Sequence, residues 1–208
     1  QRSHREPLYD TTDVERTVRA MRGIPYATPT TIIPGLEVEL LEAGHILGSA
    51  SVVLNWLDGA TRRRVAFSGD IGRSGLAIVR DPAPPTDVDG LIMESTYGNR
   101  DHTSVDGARR RLGEVVGETA ARGGKVLIPA FAVGRTQELI YTLHDLVHSG
   151  QIPKIPVIID SPLATEATRV FSANANLFDS SEPFVREFRG HPGGVLENGL
   201  VEFTETPD

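Results

Sequence analysis

Lys125-Val126-Leu127-Ile128-Pro129-Ala130-Phe131-Ala132-Val133-Gly134-Arg135-Thr136-Gln137-Glu138 reads as a compact apolar strand, a short loop and the opening of a helix. The helix predicted over Arg135 to Val147 turns Leu139, Ile140, Leu143 and Leu146 inward. Downstream, Ile155 to Ile159 is another solid apolar run, followed by a helix over Ala164 to Phe171. Upstream, Thr103 with Asp106 opens a helix that puts Val105, Ala108, Leu112, Val115, Val116 and Thr119 on one face, and Gly123-Gly124 ends it. Strands that are apolar throughout, set between helices, predict a parallel sheet covered on both faces, with Val126 and Val157 on parallel strands of one sheet.

Before Thr103 the periodicity is different. Leu36, Val38 and Leu40 alternate with Glu37 and Glu39, the pattern of a half-buried strand. Ser51 to Leu57, Arg64 to Phe67 and Gly90 to Met93 read as three more strands, and the Pro-rich run Asp81 to Pro85 as a surface connection. Short strands with little helix between them predict a mostly antiparallel layer for roughly the first hundred residues. A helix is expected at about Thr12 to Met21, with Thr12 as cap and Glu15 completing a capping box. The division is therefore 1–103 and 104–208.

Composition narrows the chemistry. The chain has 208 residues, 39% of them hydrophobic and 24% charged, which are ordinary globular values. It has no cysteine, so disulfides and thiolate ligands are excluded and a metal would have to sit on His and carboxylates. No apolar run is long enough to cross a bilayer and no signal-peptide pattern opens the chain, so a cytoplasmic protein is expected. A net charge of −7 argues against a protein that coats nucleic acid. It leaves room for an acidic metal cluster beside a locally basic groove. Apart from Lys125 and Lys154, every basic side chain other than His is Arg, which suits phosphate oxygens but equally serves ordinary ion pairs.

Three segments place polar residues at predicted strand ends: Glu42-Ala43-Gly44-His45-Ile46-Leu47-Gly48-Ser49, Phe67-Ser68-Gly69-Asp70-Ile71-Gly72 and Met93-Glu94-Ser95-Thr96-Tyr97-Gly98. Taken singly, His45 reads as a turn histidine, Asp70 as a turn residue bonding its own backbone, and Glu94 as a solvated strand terminus. Taken together, one His and two carboxylates at successive strand ends are what a divalent metal site needs. His144 and His148, at i and i+4 on the predicted second helix of the later half, could chelate a metal, but a solvated pair is the simpler reading. His102 beside Asp101 reads as a loop residue.

The order Ala-Gly-His-x-x-Gly-Ser, Ser-Gly-Asp-x-Gly and Glu-Ser-Thr-Tyr-Gly resembles the third and fourth metal motifs of the metallo-β-lactamase fold followed by motif A of the β-CASP group. The 125–138 stretch and Asp160-Ser161-Pro162-Leu163-Ala164 also resemble the β-CASP domain. The resemblance implies an α/β chain forming part of a metallo-β-lactamase αββα sandwich joined to a β-CASP α/β domain with a parallel sheet. It implies a zinc-dependent ribonuclease that hydrolyses single-stranded RNA with two zinc ions. His45 would bind the first zinc and Asp70 would bridge both. Glu94 would bind no metal and would instead orient a distant His that protonates the leaving group. Arg135, at the start of its helix, would face RNA phosphate, although an ion pair with Glu138 explains it equally well.

The family's His-x-His-x-Asp-His segment is not found in this sequence, nor are the later histidines of motifs B and C; His4, His102, His144, His148 and His191 do not match those contexts. The expectation is therefore an internal piece of a longer enzyme, inactive alone and a poor zinc binder. A homodimer of the full-length protein is a further expectation. Three rivals stay open: a DNA-directed β-CASP nuclease, a catalytically silent subunit that keeps the fold, and a metal-free α/β binding module.

Overall fold

The computed structural model describes residues 7–179 and 199–204. A first helix, α1 (Thr11–Ala20), precedes five strands: β1 (Thr30–Ile33), β2 (Leu36–Glu42), β3 (Ala50–Asp58), β4 (Thr61–Phe67) and β5 (Gly90–Ile92). They form one sheet in the order β1-β2-β3-β4-β5. Three neighbouring pairs are antiparallel and the last, β4 with β5, is parallel. Burial alternates in β3, where Ser51, Val53 and Asn55 are buried and the residues between them are partly exposed; in β2, where the sequence alternates, Val38 is buried and its neighbours are half-buried. Val53 and Ala66, paired across β3 and β4, are fully buried.

Strand direction positions the site. Because β3 runs against both neighbours, β2 and β4 point the same way, and β5 is parallel to β4. The C-terminal ends of β2, β4 and β5 therefore open onto one edge of the sheet. The segments carrying His45, Asp70 and Glu94 each leave one of those three ends.

The later residues form helices α2 (Val105–Ala121), α3 (Arg135–His148) and α4 (Pro162–Ala173), with two short parallel strands, β6 (Val157–Ile159) and β7 (Val201–Phe203). Val116, Leu143, Leu146 and Ile152 make one core, with Leu112 and Val157 packed against it. Ile140, Leu200 and Val201 make a second beneath the β6–β7 pair. A third, formed by Ile78, Phe171, Ala175 and Phe178, also takes in Leu47 and Tyr141. It joins the loop after β2 to α3 and α4. Among the described residues, no helix is long and apolar enough to cross a membrane.

Several sequence expectations are corrected. The expected strand over Lys125 to Ile128 has no ladder partner among the described residues, and Leu127 is 94% exposed. An extended segment becomes a strand only when a neighbour takes up its N–H and C=O groups. The parallel partner of β6 is accordingly β7, not a strand at Val126. The α1 cap is Asp10, whose carboxylate accepts from the Thr12 and Asp13 amides while Asp13 answers the Asp10 amide; Thr12 and Glu15 do not form the box. Ser104, not Thr103, caps α2, and Ala108 on that helix is exposed. β1 was not expected at all. His4 and His191 lie outside the described residues.

Candidate functional site

The loop after β2 is fastened by its own serine. Ser49 Oγ accepts from the amides of His45 at 3.1 Å and Ile46 at 3.2 Å, and the Ser49 amide donates back to Ile46 O at 3.0 Å. The Tyr26 hydroxyl donates to Ser49 O at 2.8 Å, tying the loop to the segment before β1. His45 is exposed at the tip. Gly44 sits at φ +64°, where a Cβ would meet Arg80 O and Pro82 within 3 Å, so only glycine permits this turn.

The loop after β4 is locked to the first. The Gly72 amide donates to Ala43 O at 2.8 Å, and a Cβ on Gly72 would lie 1.6 Å from Gly44 O. Ser51 Oγ donates to Ser68 O at 2.9 Å, and buried Ser68 accepts the Glu94 amide on its own Oγ at 3.0 Å. Asp70, two residues beyond Ser68, is exposed on this edge.

Glu94 completes the edge from β5. Its Oε1 accepts the Ile71 amide at 2.6 Å. That amide, then the Thr96 hydroxyl, hold the Glu94 carboxyl below the usual carboxylate range, with the Thr96 amide and the His45 imidazole adding to the effect against partial desolvation. The group is thus ionised at neutral pH and braces the backbone just after Asp70.

The start of helix α3 also meets the loop after β2. Gly134 has φ +81°, and a Cβ there would meet Ile46 Cγ2 at 2.7 Å, so the start of α3 lies against the His45 loop. Buried Gln137 holds this junction, accepting the Gly134 amide at 2.7 Å and donating to Ala132 O at 3.0 Å and Thr168 Oγ1 at 2.9 Å. Arg135 is 57% exposed and its Nη1 pairs with Glu138 Oε2 at 3.0 Å, so the ion-pair reading describes its contact. Burial pushes the Glu138 carboxyl up, opposed by Arg135, Arg73 and His45. Glu138, read in the sequence only as the partner of Arg135, is therefore also within electrostatic reach of His45. No local pattern relates residues so distant in the chain.

The donor set suits zinc in kind but not in number. His45 and Asp70 offer an imidazole and a carboxylate, and no group of three His, Asp or Glu able to hold a metal occurs among the described residues. A catalytic zinc takes about three protein ligands and leaves a position open. His144 and His148 stack, with centroids 6.1 Å apart, beside a cavity of about 160 Å³ shared with Val147, Lys154 and Leu200. The Lys154 cation there disfavours a divalent metal.

Comparison with known proteins follows the same lines. The Beta-Casp domain model matches residues 136–198. The chain is 35% identical over 209 residues to Ribonuclease TTHA0252 of Thermus thermophilus, covering 96% of this chain and 45% of that protein. It is 32% identical over 195 residues to an RNase J-like protein of Methanocaldococcus jannaschii, covering 91% and 44% respectively. Against the Transcription termination factor FttA of the same organism it is 37% identical over 218 residues, covering 98% and 33%. The α/β architecture and these matches define a chain of the metallo-β-lactamase/β-CASP fold. It belongs to the β-CASP family, and it spans less than half the length of these relatives.

Proposed function

We propose that this chain is part of a zinc-dependent ribonuclease that hydrolyses phosphodiester bonds of single-stranded RNA. The observation that carries the reading is the convergence of the His45, Asp70 and Glu94 loops on one sheet edge, in a chain similar to two proteins named for RNase activity. His45 and Asp70 would contribute ligands to the metal site, with the remaining ligands on family segments that this sequence does not contain. Bound zinc supplies an activated water and stabilises charge at phosphorus.

The chain's own residues do the rest. The Gly72–Ala43 bond and the Gly44–Gly72 contact fix His45 and Asp70 relative to each other. Glu94 holds the Asp70 loop through the Ile71 amide, and its ionised carboxylate is suited to accept an N–H from a histidine acting as general acid. Arg135, exposed at the start of α3, would meet a phosphate by exchanging its pairing with Glu138. Residues 1–103 would belong to the metallo-β-lactamase part and 104–208 to the β-CASP part of a cytoplasmic, homodimeric enzyme.

The test is cleavage of labelled single-stranded RNA and DNA of one sequence by the full-length protein, with zinc and with chelator. Zinc-dependent cutting of RNA, lost in Asp70→Ala, is the expected result. Preference for DNA, or cutting indifferent to chelator, would overturn it.

A further inference from the structure

After Glu94 the chain runs Ser95-Thr96-Tyr97-Gly98-Asn99-Arg100-Asp101-His102-Thr103 before α2 begins. Two turns shape it: the Gly98 amide donates to Ser95 O at 3.0 Å, and the Arg100 amide to Tyr97 O at 3.2 Å. Both ends are tied to the loop that carries Asp70. Glu94 bonds Ser68 and Ile71 at one end, and Arg73 Nη1 donates to Thr103 O at 2.9 Å at the other. The segment is thus a strap across the candidate edge.

On this strap three side chains gather around one ring. The Arg100 guanidinium lies over the Tyr97 ring, 4.7 Å from its centroid. The His102 and Tyr97 rings make a T-shaped contact, with centroids 4.6 Å apart and planes at 67°. With Arg100 over the ring and His102 packed against it at a steep angle, Tyr97 nevertheless remains 47% exposed. What is left open is aromatic surface backed by a cation, in a chain of net charge −7. Only Ser95 and Thr96 separate Tyr97 from Glu94, at most about 10 Å of extended chain, so a group stacked there lies beside the proposed cleavage edge.

We propose that Tyr97, backed by Arg100 and His102, is a stacking platform for one unpaired nucleobase of a single-stranded nucleic acid entering this edge. Every base has a π face, so the platform accepts a strand without reading its sequence. The arginine adds cation–π attraction and draws in the neighbouring phosphate. This subsite rests on the ribonuclease reading for its substrate, but stacking requires neither metal nor cleavage.

The test is binding of a phosphorothioate oligonucleotide that resists cleavage, as RNA and as DNA, to the full-length protein by fluorescence anisotropy. Tyr97→Ala should weaken binding about 5- to 150-fold, Tyr97→Phe should keep it, and Arg100→Gln should fall between. Moving one abasic site along the oligonucleotide should find a position at which wild type and Tyr97→Ala bind alike. Equal weakening by Tyr97→Ala at every abasic position, or a loss in Tyr97→Phe as large as in Tyr97→Ala, would overturn the platform. If the protein cuts DNA or cuts nothing, the ribonuclease reading fails while the base-dependent Tyr97 effect still stands or falls by itself.

Discussion

Gly72 lies against Gly44 backbone to backbone: its amide donates to the adjacent Ala43 carbonyl at 2.8 Å, and any Cβ on Gly72 would lie 1.6 Å from Gly44 O. One glycine leaves the loop after β4 and the other the loop after β2. Their contact sets the distance between the elements that carry Asp70 and His45. No side-chain adjustment can relieve a Cβ placed there, since the atom it meets is a carbonyl oxygen.

Gly72→Ala should therefore destabilise the chain by about 3 kcal/mol or more, the upper end of overpacking costs, lowering Tm by roughly 6–12 °C for a chain of this size. Gly117→Ala is the control. Gly117 lies inside α2 with nothing within 4 Å of a Cβ, so alanine there should stabilise by about 1 kcal/mol through helix propensity. Thermal unfolding of the two variants should move in opposite directions; a Gly72→Ala protein as stable as the parent would show that the loops can separate freely.

Glu94→Gln tests whether that carboxylate is a ligand or a brace. Its Oε1 already accepts the Ile71 amide at 2.6 Å, and glutamine keeps an acceptor oxygen for that bond. In the full-length enzyme the variant should retain its zinc while RNA cleavage slows by about 10²–10⁴, the usual worth of general-acid assistance. Metal content by plasma emission together with single-turnover rates decides it. Stoichiometric loss of zinc would make Glu94 a ligand.

Glu138 should give a pH signature of its own. Its side chain is 20% exposed, and burial outweighs Arg135, Arg73 and His45 in raising its carboxyl. A raised folded-state value means that the native protein keeps a proton the unfolded chain has lost. Stability therefore falls as pH rises from the ordinary glutamate value, about 4.3, through the higher value in the fold. Glu138→Gln removes that loss, so the variant should melt above the parent at pH 7 and level with it near pH 3. An exposed partner such as Arg135 contributes little in return. Melting below the parent at pH 7 would mean that the ion pair outweighs desolvation.

The legible parts of the fold were those governed by local periodicity. Alternation around Val38 marked β2, and the spacing of Ile140, Leu143 and Leu146 marked α3, because one buried face imposes its own period. β1 escaped notice because Thr30–Ile33 is a short, exposed edge strand between Pro29 and Pro34 with no alternation to read. Val126 misled for the opposite reason: an apolar run signals burial against something, but pairing depends on a partner strand elsewhere in the chain. At the site, the glycines and polar residues after β2, β4 and β5 were visible as motifs. Their bracing was not. Ser49 capping His45, Gly72 against Gly44 and Glu138 near His45 all depend on how the loops meet in space.

These 208 residues alone should bind zinc poorly. Geometry as well as ligand count holds a zinc ion, and a partly filled site loses most of its affinity. His45 and Asp70 are both exposed, and no third donor joins them in a metal-holding group among the described residues. Glu94 is engaged by the Ile71 amide and the Thr96 hydroxyl, and taking it for metal would release the Asp70 loop. Among the described residues the stacked His144 and His148 belong to no group of three donors able to hold a metal, and Lys154 shares their cavity. Dialysis of the purified chain against zinc should thus leave well under one ion per molecule, with no measurable RNA cleavage. His45→Ala and Asp70→Ala should each remove most of the little that binds. Stoichiometric zinc that survives both substitutions would place the metal elsewhere, and substitution of His102, His148 or His191 would then identify its ligands.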